Sequence, residues 1–193
     1  AFQNGVHFKT TEERVKVLKE LGYDGIGSAK LSQSDLPLPQ RLKLYDEAEL
    51  KLFSFYVGGK LGSKGHTYGK EISQAIKDLK GRETILELFV QGSKKSNTDE
   101  QAVAFVREIA DQANESGLRI VLYPHAGFYV DTLSAAVRVA RKCKRENVGV
   151  MFNLCHYLKV EPKTDLKAAL TEAKPLLWQI STCGAEKGGS SWG

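Results

Sequence analysis

The residues of this chain best suited to chemistry recur in one kind of place, at the ends of short apolar runs. One run ends near Tyr56, and the next contains Glu87 and ends at Gln91. A third closes in Tyr123-Pro124-His125-Ala126-Gly127 and a fourth in Asn153-Leu154-Cys155-His156. The last carries Gln179 and Ser181, with Glu186 just beyond. Histidine titrates near neutrality and can act as acid, base or hydrogen-bond donor to an oxygen, so His125 and His156 are the first candidates for moving a proton. One loop histidine is ordinarily a surface residue, but two of the chain's four at equivalent run ends point as much to a shared site. Glu87 sits among apolar neighbours, where a carboxylate must be paired or face water. It is a candidate ligand or base, set against a structural ion pair at the far end of the strands or toward a helix. Tyr123, Asn153, Gln91, Gln179 and Tyr56 offer neutral hydrogen-bonding groups to a hydroxylated ligand. Cys155 reads as a small buried filler, and His7 and His66 as loop residues with structural or solvent-facing roles.

This set is poor in charge. Divalent cations that polarise a sugar oxygen want several carboxylates and perhaps a histidine. Tyr123, His125, Asn153, His156 and Gln179 are neutral, so no metal or other cofactor is expected. A divalent ion would need Glu87, Glu186 or sequence beyond Gly193 to supply charge.

The elements that must position these residues alternate between strand and helix. A capping-box pattern, Thr10 with Glu13, opens the first helix, and residues 23–26 read as a strand. A helix over 38–48 leads into a strand over 50–57 closed by Gly58-Gly59. A helix over 71–79 precedes a strand over 84–90. Thr98 and Gln101 form a second capping box, and Phe105, Ile109 and Ala113 follow at helical spacing. Strands over 118–123 and 148–154 flank a helix capped by Asp131, and a helix capped by Thr164 precedes a last strand over 176–181. Strand starts recur about every 30 residues, the length of one βα unit. The continuous apolar runs Ile120-Val121-Leu122 and Val148-Gly149-Val150-Met151-Phe152 fit strands buried on both faces of a parallel sheet. Such a succession means an α/β fold, either a doubly wound open sheet or a (β/α)8 barrel. No Gly-x-Gly-x-x-Gly follows the first strand, which favours the barrel. In a barrel the active site lies at the C-terminal ends of the strands, where the candidates stand. A full barrel takes about 250 residues. With residues 2–5 ending a first strand, this chain supplies seven strands and no eighth, so the (β/α)8 TIM barrel is expected to be incomplete and residues 1–193 to form one domain.

Composition agrees. Hydrophobic residues make up 41% and charged residues 26% of the 193, a globular mixture. No apolar run approaches the roughly 20 residues needed to span a bilayer. The net charge of +5 is spread over helices and loops, and its densest runs, Lys94-Lys95 and Arg141 to Arg145, read as solvated faces, which makes nucleic acid an unexpected partner. Three widely spaced cysteines, Cys143, Cys155 and Cys183, suggest neither a disulfide framework nor a zinc ribbon, and fit a reducing, cytoplasmic compartment.

Two stretches, residues 120–127 and 147–156, together with the junction at residues 21–26, resemble the xylose-isomerase-like barrel superfamily of sugar epimerases, sugar-phosphate isomerases and endonuclease IV. The resemblance implies a metal-binding Glu where Tyr123 stands and an Asp-x-x-His whose Asp is replaced by Asn153 and whose His is His156. It also implies a metal-binding His around Gln179-Ile180-Ser181, and a further Glu beyond Gly193. What it implies is therefore a sugar isomerase/epimerase-like protein, binding a polyhydroxylated substrate, with a degraded metal site. Two alternatives are a non-catalytic carbohydrate-binding barrel and, against the missing ligands, an endonuclease-IV-like nuclease. An incomplete barrel leaves strand edges unpaired, so either another chain, as in a homo-oligomer, or a rearranged terminus is expected to cover them.

Overall fold

Strand side chains alternate between faces, and in this chain the two faces differ in chemistry. Over Ile85–Gln91 (β5), Leu86, Leu88 and Val90 are wholly buried in the main apolar core, while Glu87, Phe89 and Gln91 take the other face. Arg119–Leu122 (β6) repeats this with Ile120 and Leu122, and Val148–Asn153 (β7) with Val148, Val150 and Phe152. The aliphatic face packs on helices, notably Asp99–Glu115 (α4), through Phe105, Val106 and Ile109, and Leu133–Cys143 (α5), through Ala136 and Val139. The opposite face carries polar and aromatic groups, Glu87, Phe89 and Asn153 among them, beside the buried Val121 and Met151.

The computed structural model describes residues 10–27, 29–30, 35–161 and 163–182. The expected first strand at residues 2–5, and His7, Cys183 and Glu186, lie outside them. The remaining elements, in order, are α1 (Thr11–Glu20), β1 (Gly25–Ile26), α2 (Leu38–Glu47), β2 (Lys51–Leu52), β3 (Ser54–Gly62), β4 (Gly65–Tyr68), α3 (Glu71–Asp78), α6 (Leu154–Val160), α7 (Leu166–Ala173) and β8 (Leu177–Ser181). β1 pairs in parallel with β2, and Ala29 bridges to Phe55 of β3. From there the order is β4-β3-β5-β6-β7-β8, all parallel except the β3–β4 hairpin. This is barrel order. Among the described residues the sheet does not close, as the strand count implied.

The sheet is nonetheless strongly curled. Flat, with strands about 4.8 Å apart, β8 would lie roughly 14 Å from β5 and roughly 19 Å from β3. Instead the Gln179 side chain on β8 donates from Nε2 to Glu87 Oε1 on β5 and to Ser54 Oγ on β3, the latter at 3.4 Å. Only a barrel-like wrap brings these strands together.

Four local expectations need correction. Gly58-Gly59 does not end its strand, which runs to Gly62 and turns back as β4. A Cβ on Gly59 would meet Thr67 O at 2.6 Å and the Phe105 ring at 2.8 Å, so glycine is there for the close approach of β4 and α4 and not to stop the strand. His66 accordingly sits in β4 rather than a loop, 2.7 Å from Glu108. Thr132, not Asp131, caps α5, while Asp131 pairs with Lys94 at 2.6 Å. Asp165, not Thr164, caps α7, where its carboxylate accepts from Lys167 N and Ala168 N. The two capping positions Thr10 and Thr98 hold, and Thr98 with Gln101 forms the complete reciprocal box.

Candidate functional site

The chain after β6 places the first histidine. Tyr123 N donates to Leu88 O, which carries the strand one residue past its last rung. A turn follows, with Phe128 N bonded to His125 O at 3.0 Å and Gly127 at φ +83°, a left-handed value that favours glycine. His125 N bonds Val130 O, and Tyr129 N bonds Val90 O, so the loop is pinned to the end of β5. The second histidine is placed by a cap. Asn153 ends β7 and its Oδ1 accepts from His156 N at 3.2 Å, starting α6, a helix the sequence reading lacked. The Asn-x-x-His spacing is thus that of a helix N-cap and its third residue.

These elements bring six rings into a closed circuit. Centroids are 4.7 Å apart for Tyr56–Phe89, 5.5 Å for Phe89–Phe128 and 4.0 Å for Phe128–His125. The circuit continues with His125–His156 at 4.0 Å and His156–Tyr123 at 5.8 Å, and closes with Tyr123–Tyr56 at 4.9 Å. Lys30 Nζ lies 5.3 Å from the centre of the Tyr56 ring, within cation–π range. Glu87, wholly buried, accepts from Ser54 Oγ at 2.8 Å and from Gln179 Nε2. It therefore faces the concave interior, not a helix as the ion-pair reading had it. Its charge, after burial, helps hold the Tyr56 hydroxyl well above the usual phenol range.

Tyr123 is likewise raised, first by burial and then by Tyr56 and Glu87, so it stays protonated. Its hydroxyl oxygen accepts from Asn153 Nδ2 at 2.7 Å. Burial pulls both histidines down. His125 is lowered further by Lys30 and Lys159 against the opposing Ala126 carbonyl, and His156, only 2% exposed, falls to about 4 with help from His125 and Lys159. Both imidazoles are neutral at neutral pH.

Of the eight residues singled out in the sequence, seven meet here: Tyr56, Glu87, Tyr123, His125, Asn153, His156 and Gln179. Gln91 does not join them; it ends β5 beside Lys60 of β3. The sequence reading missed Phe89, Phe128 and Lys30. Phe89 was legible, since it lies two residues from Glu87 on a strand and shares its face. A cavity of about 1000 Å³ lies at the opposite end of the strands, beside Phe53, Arg82, Thr84 and Arg119. It brings none of the candidates together, and its ionic groups pair with one another, Arg82 with Asp46 and Lys51 with Glu83.

The described residues do not fit a resident divalent metal. Where two carboxylates were implied, a protonated phenol and an amide hydrogen-bond to each other, and the amide oxygen is taken by the α6 cap. Among the described residues no three His, Cys, Asp or Glu side chains are grouped to hold an ion.

Comparison with known proteins agrees with this architecture. The model of the family described as xylose isomerase-like TIM barrel matches residues 15–177. No curated protein matches the sequence. Among solved structures, the chain is similar to a 3-keto-D-glucoside 4-epimerase from E. coli (TM-score 0.67, 17% identity, 92% of this chain and 75% of that one). It is similar to the IOLI protein, solved with a zinc atom (TM-score 0.69, 15% identity, 95% and 72%). A family 2 AP endonuclease from Brucella melitensis also matches (TM-score 0.68, 16% identity, 92% and 74%). At these identities the likeness is one of fold.

Proposed function

Because this chain belongs to the xylose isomerase-like TIM barrel family, we propose that it is a sugar isomerase/epimerase-like protein that binds a polyhydroxylated molecule at the C-terminal ends of its strands. One observation carries the reading: the six-ring circuit lies with the hydrogen-bonded set Ser54, Glu87 and Gln179 on the concave face of the sheet. A sugar has C–H faces that pack on aromatic rings and hydroxyls that need polar partners. A mostly apolar concavity with a few convergent polar groups is the usual form of such a site. Lys30 beside the rings disfavours a cationic ligand, which an aromatic cage would otherwise suit.

With no fitting metal site among the described residues, we assign the chemistry to side chains. Isomerisation and epimerisation beside a carbonyl need a proton acceptor and a donor to hold the developing oxyanion. His125 and His156, neutral and adjacent, are the groups for these tasks, and Tyr123, Asn153 and Tyr56 would orient hydroxyls. Calorimetry with a panel of aldoses, ketoses and their phosphates tests binding, and proton NMR in D2O tests turnover through exchange at the carbon beside the carbonyl. Binding with exchange supports the proposal; failure to bind any of them would sink it.

A second reading, a carbohydrate-binding barrel without turnover, is favoured by the Tyr123–Asn153 pair standing where carboxylates were implied. It expects binding without exchange in the same two measurements.

A further inference from the structure

The two histidines are joined by more than stacking. Each directs its Nδ1 to the same residue, Ala126, but to opposite poles of it. Ala126 N donates to His156 Nδ1 at 3.2 Å, and Ala126 O lies 2.8 Å from His125 Nδ1. A backbone N–H can only donate and a carbonyl oxygen can only accept. His156 Nδ1 must therefore be unprotonated and His125 Nδ1 must carry its proton. In the neutral rings the remaining nitrogens are then opposite in kind, with Nε2 of His125 an acceptor and Nε2 of His156 protonated.

From this geometry we infer that His156 is a positioning residue which, through Ala126, locks His125 as the Nδ1–H tautomer and so makes His125 Nε2 the proton acceptor of the site. The chain of contacts is short. Asn153 caps α6 and sets the His156 backbone, and His156 holds the Ala126 N–H. That contact fixes a residue within the turn closed by Phe128 N and His125 O, and the Ala126 carbonyl then fixes the His125 ring. The Phe128 and His156 rings each lie 4.0 Å from that ring, leaving it little freedom to flip. Among the described residues His125 Nε2 makes no hydrogen bond.

The role in turnover rests on the function proposed above. His125 Nε2 would take the proton from the carbon beside a substrate carbonyl, the C–H electron pair forming the enediolate. The imidazolium would return that proton to the neighbouring carbon while the hydroxyl proton passes from one enediolate oxygen to the other, so that aldose and ketose interconvert with no net oxidation and no co-reactant. Nδ1–H, already held by Ala126 O, would stabilise the imidazolium through that bond.

The tautomers are tested on the intact protein without ligand, by nitrogen-15 NMR of the imidazole rings. The expected pattern is a protonated Nδ1 and bare Nε2 on His125, with the reverse on His156. His156→Ala should convert His125 to a tautomer mixture, and His156→Asn, whose Oδ1 can accept the Ala126 N–H, should restore it. Circular dichroism shows whether each variant is folded. If His156→Ala fails to fold, the wild-type tautomers and His156→Asn decide. A His125 that is protonated on Nε2 in the wild type overturns the inference, and so does an unchanged His125 in a folded His156→Ala. In D2O and at saturating sugar, His125→Gln should lose exchange beside the carbonyl by at least about 100-fold, the lower range for a general base. Exchange persisting in His125→Gln overturns the acceptor role. Absence of exchange in the wild type fails the function itself, and with it the acceptor role, while the tautomer result stands apart.

Discussion

The side-chain amide of Asn153 donates to the phenolic oxygen of Tyr123 at 2.7 Å, tying the residue after β6 to the end of β7. The pair does by a neutral hydrogen bond what two carboxylates would do only around a cation. Chelator dialysis is therefore expected to leave Tm unchanged, and added Mn²⁺ or Zn²⁺ should not raise it, since a ligand stabilises only what it binds. The double substitution Tyr123→Glu with Asn153→Asp should lower Tm without metal, through like charges in a buried place, and recover part of the loss when a divalent ion is added. Scanning calorimetry with and without ion reads both; a metal-dependent rise in the wild type would contradict the lost site.

His156 makes folding stability depend on pH. Its pKa falls from 6.5 to about 4 on folding, with burial the main cause, so between those values the unfolded chain binds the extra proton. Stability is full above pH 6.5 and is lost as pH falls toward 4. At about 1.4 kcal/mol per pKa unit the loss approaches about 3 kcal/mol. His125, also lowered, acts in the same direction. Urea unfolding from pH 7 to pH 4 should show this slope, and His156→Asn should flatten it.

Glu87 anchors the curl of the sheet. Replacing it with Ala leaves the Ser54 hydroxyl and the Gln179 amide without their acceptor and opens a hole, a loss of about 2–4 kcal/mol. Glu87→Gln keeps an acceptor oxygen and should lose less. Denaturant midpoints of the two variants test the order; equal losses would mean that charge or shape, not the shared acceptor, is what matters.

Ligand affinity should follow the rings. Tyr56 touches both Phe89 and Tyr123 and receives Lys30 over its face. Tyr56→Ala should weaken sugar binding roughly 10-fold, the scale of about 1.4 kcal/mol for one lost aromatic platform. Thr98→Ala serves as the contrast. It removes the α4 cap, costing about 1 kcal/mol of stability, and should leave affinity unchanged.

Periodicity and capping alone determined a good deal here: the βα alternation, the aliphatic face of β5 to β7 and the two N-caps Thr10 and Thr98 are local properties, written at spacings of two and three to four residues. So was the candidate set, because run ends are visible and the site of a barrel must lie there. Tertiary structure decided the rest. Whether Glu87 meets a helix or the interior depends on the curl that carries Gln179 across to β5, and no local pattern encodes curl. The reach of β3 past Gly59 was set by β4 and α4 approaching too closely for a side chain. The opposite tautomers of His125 and His156 come from one residue lying between two rings that are 31 positions apart in the chain, a contact only the folded backbone can make.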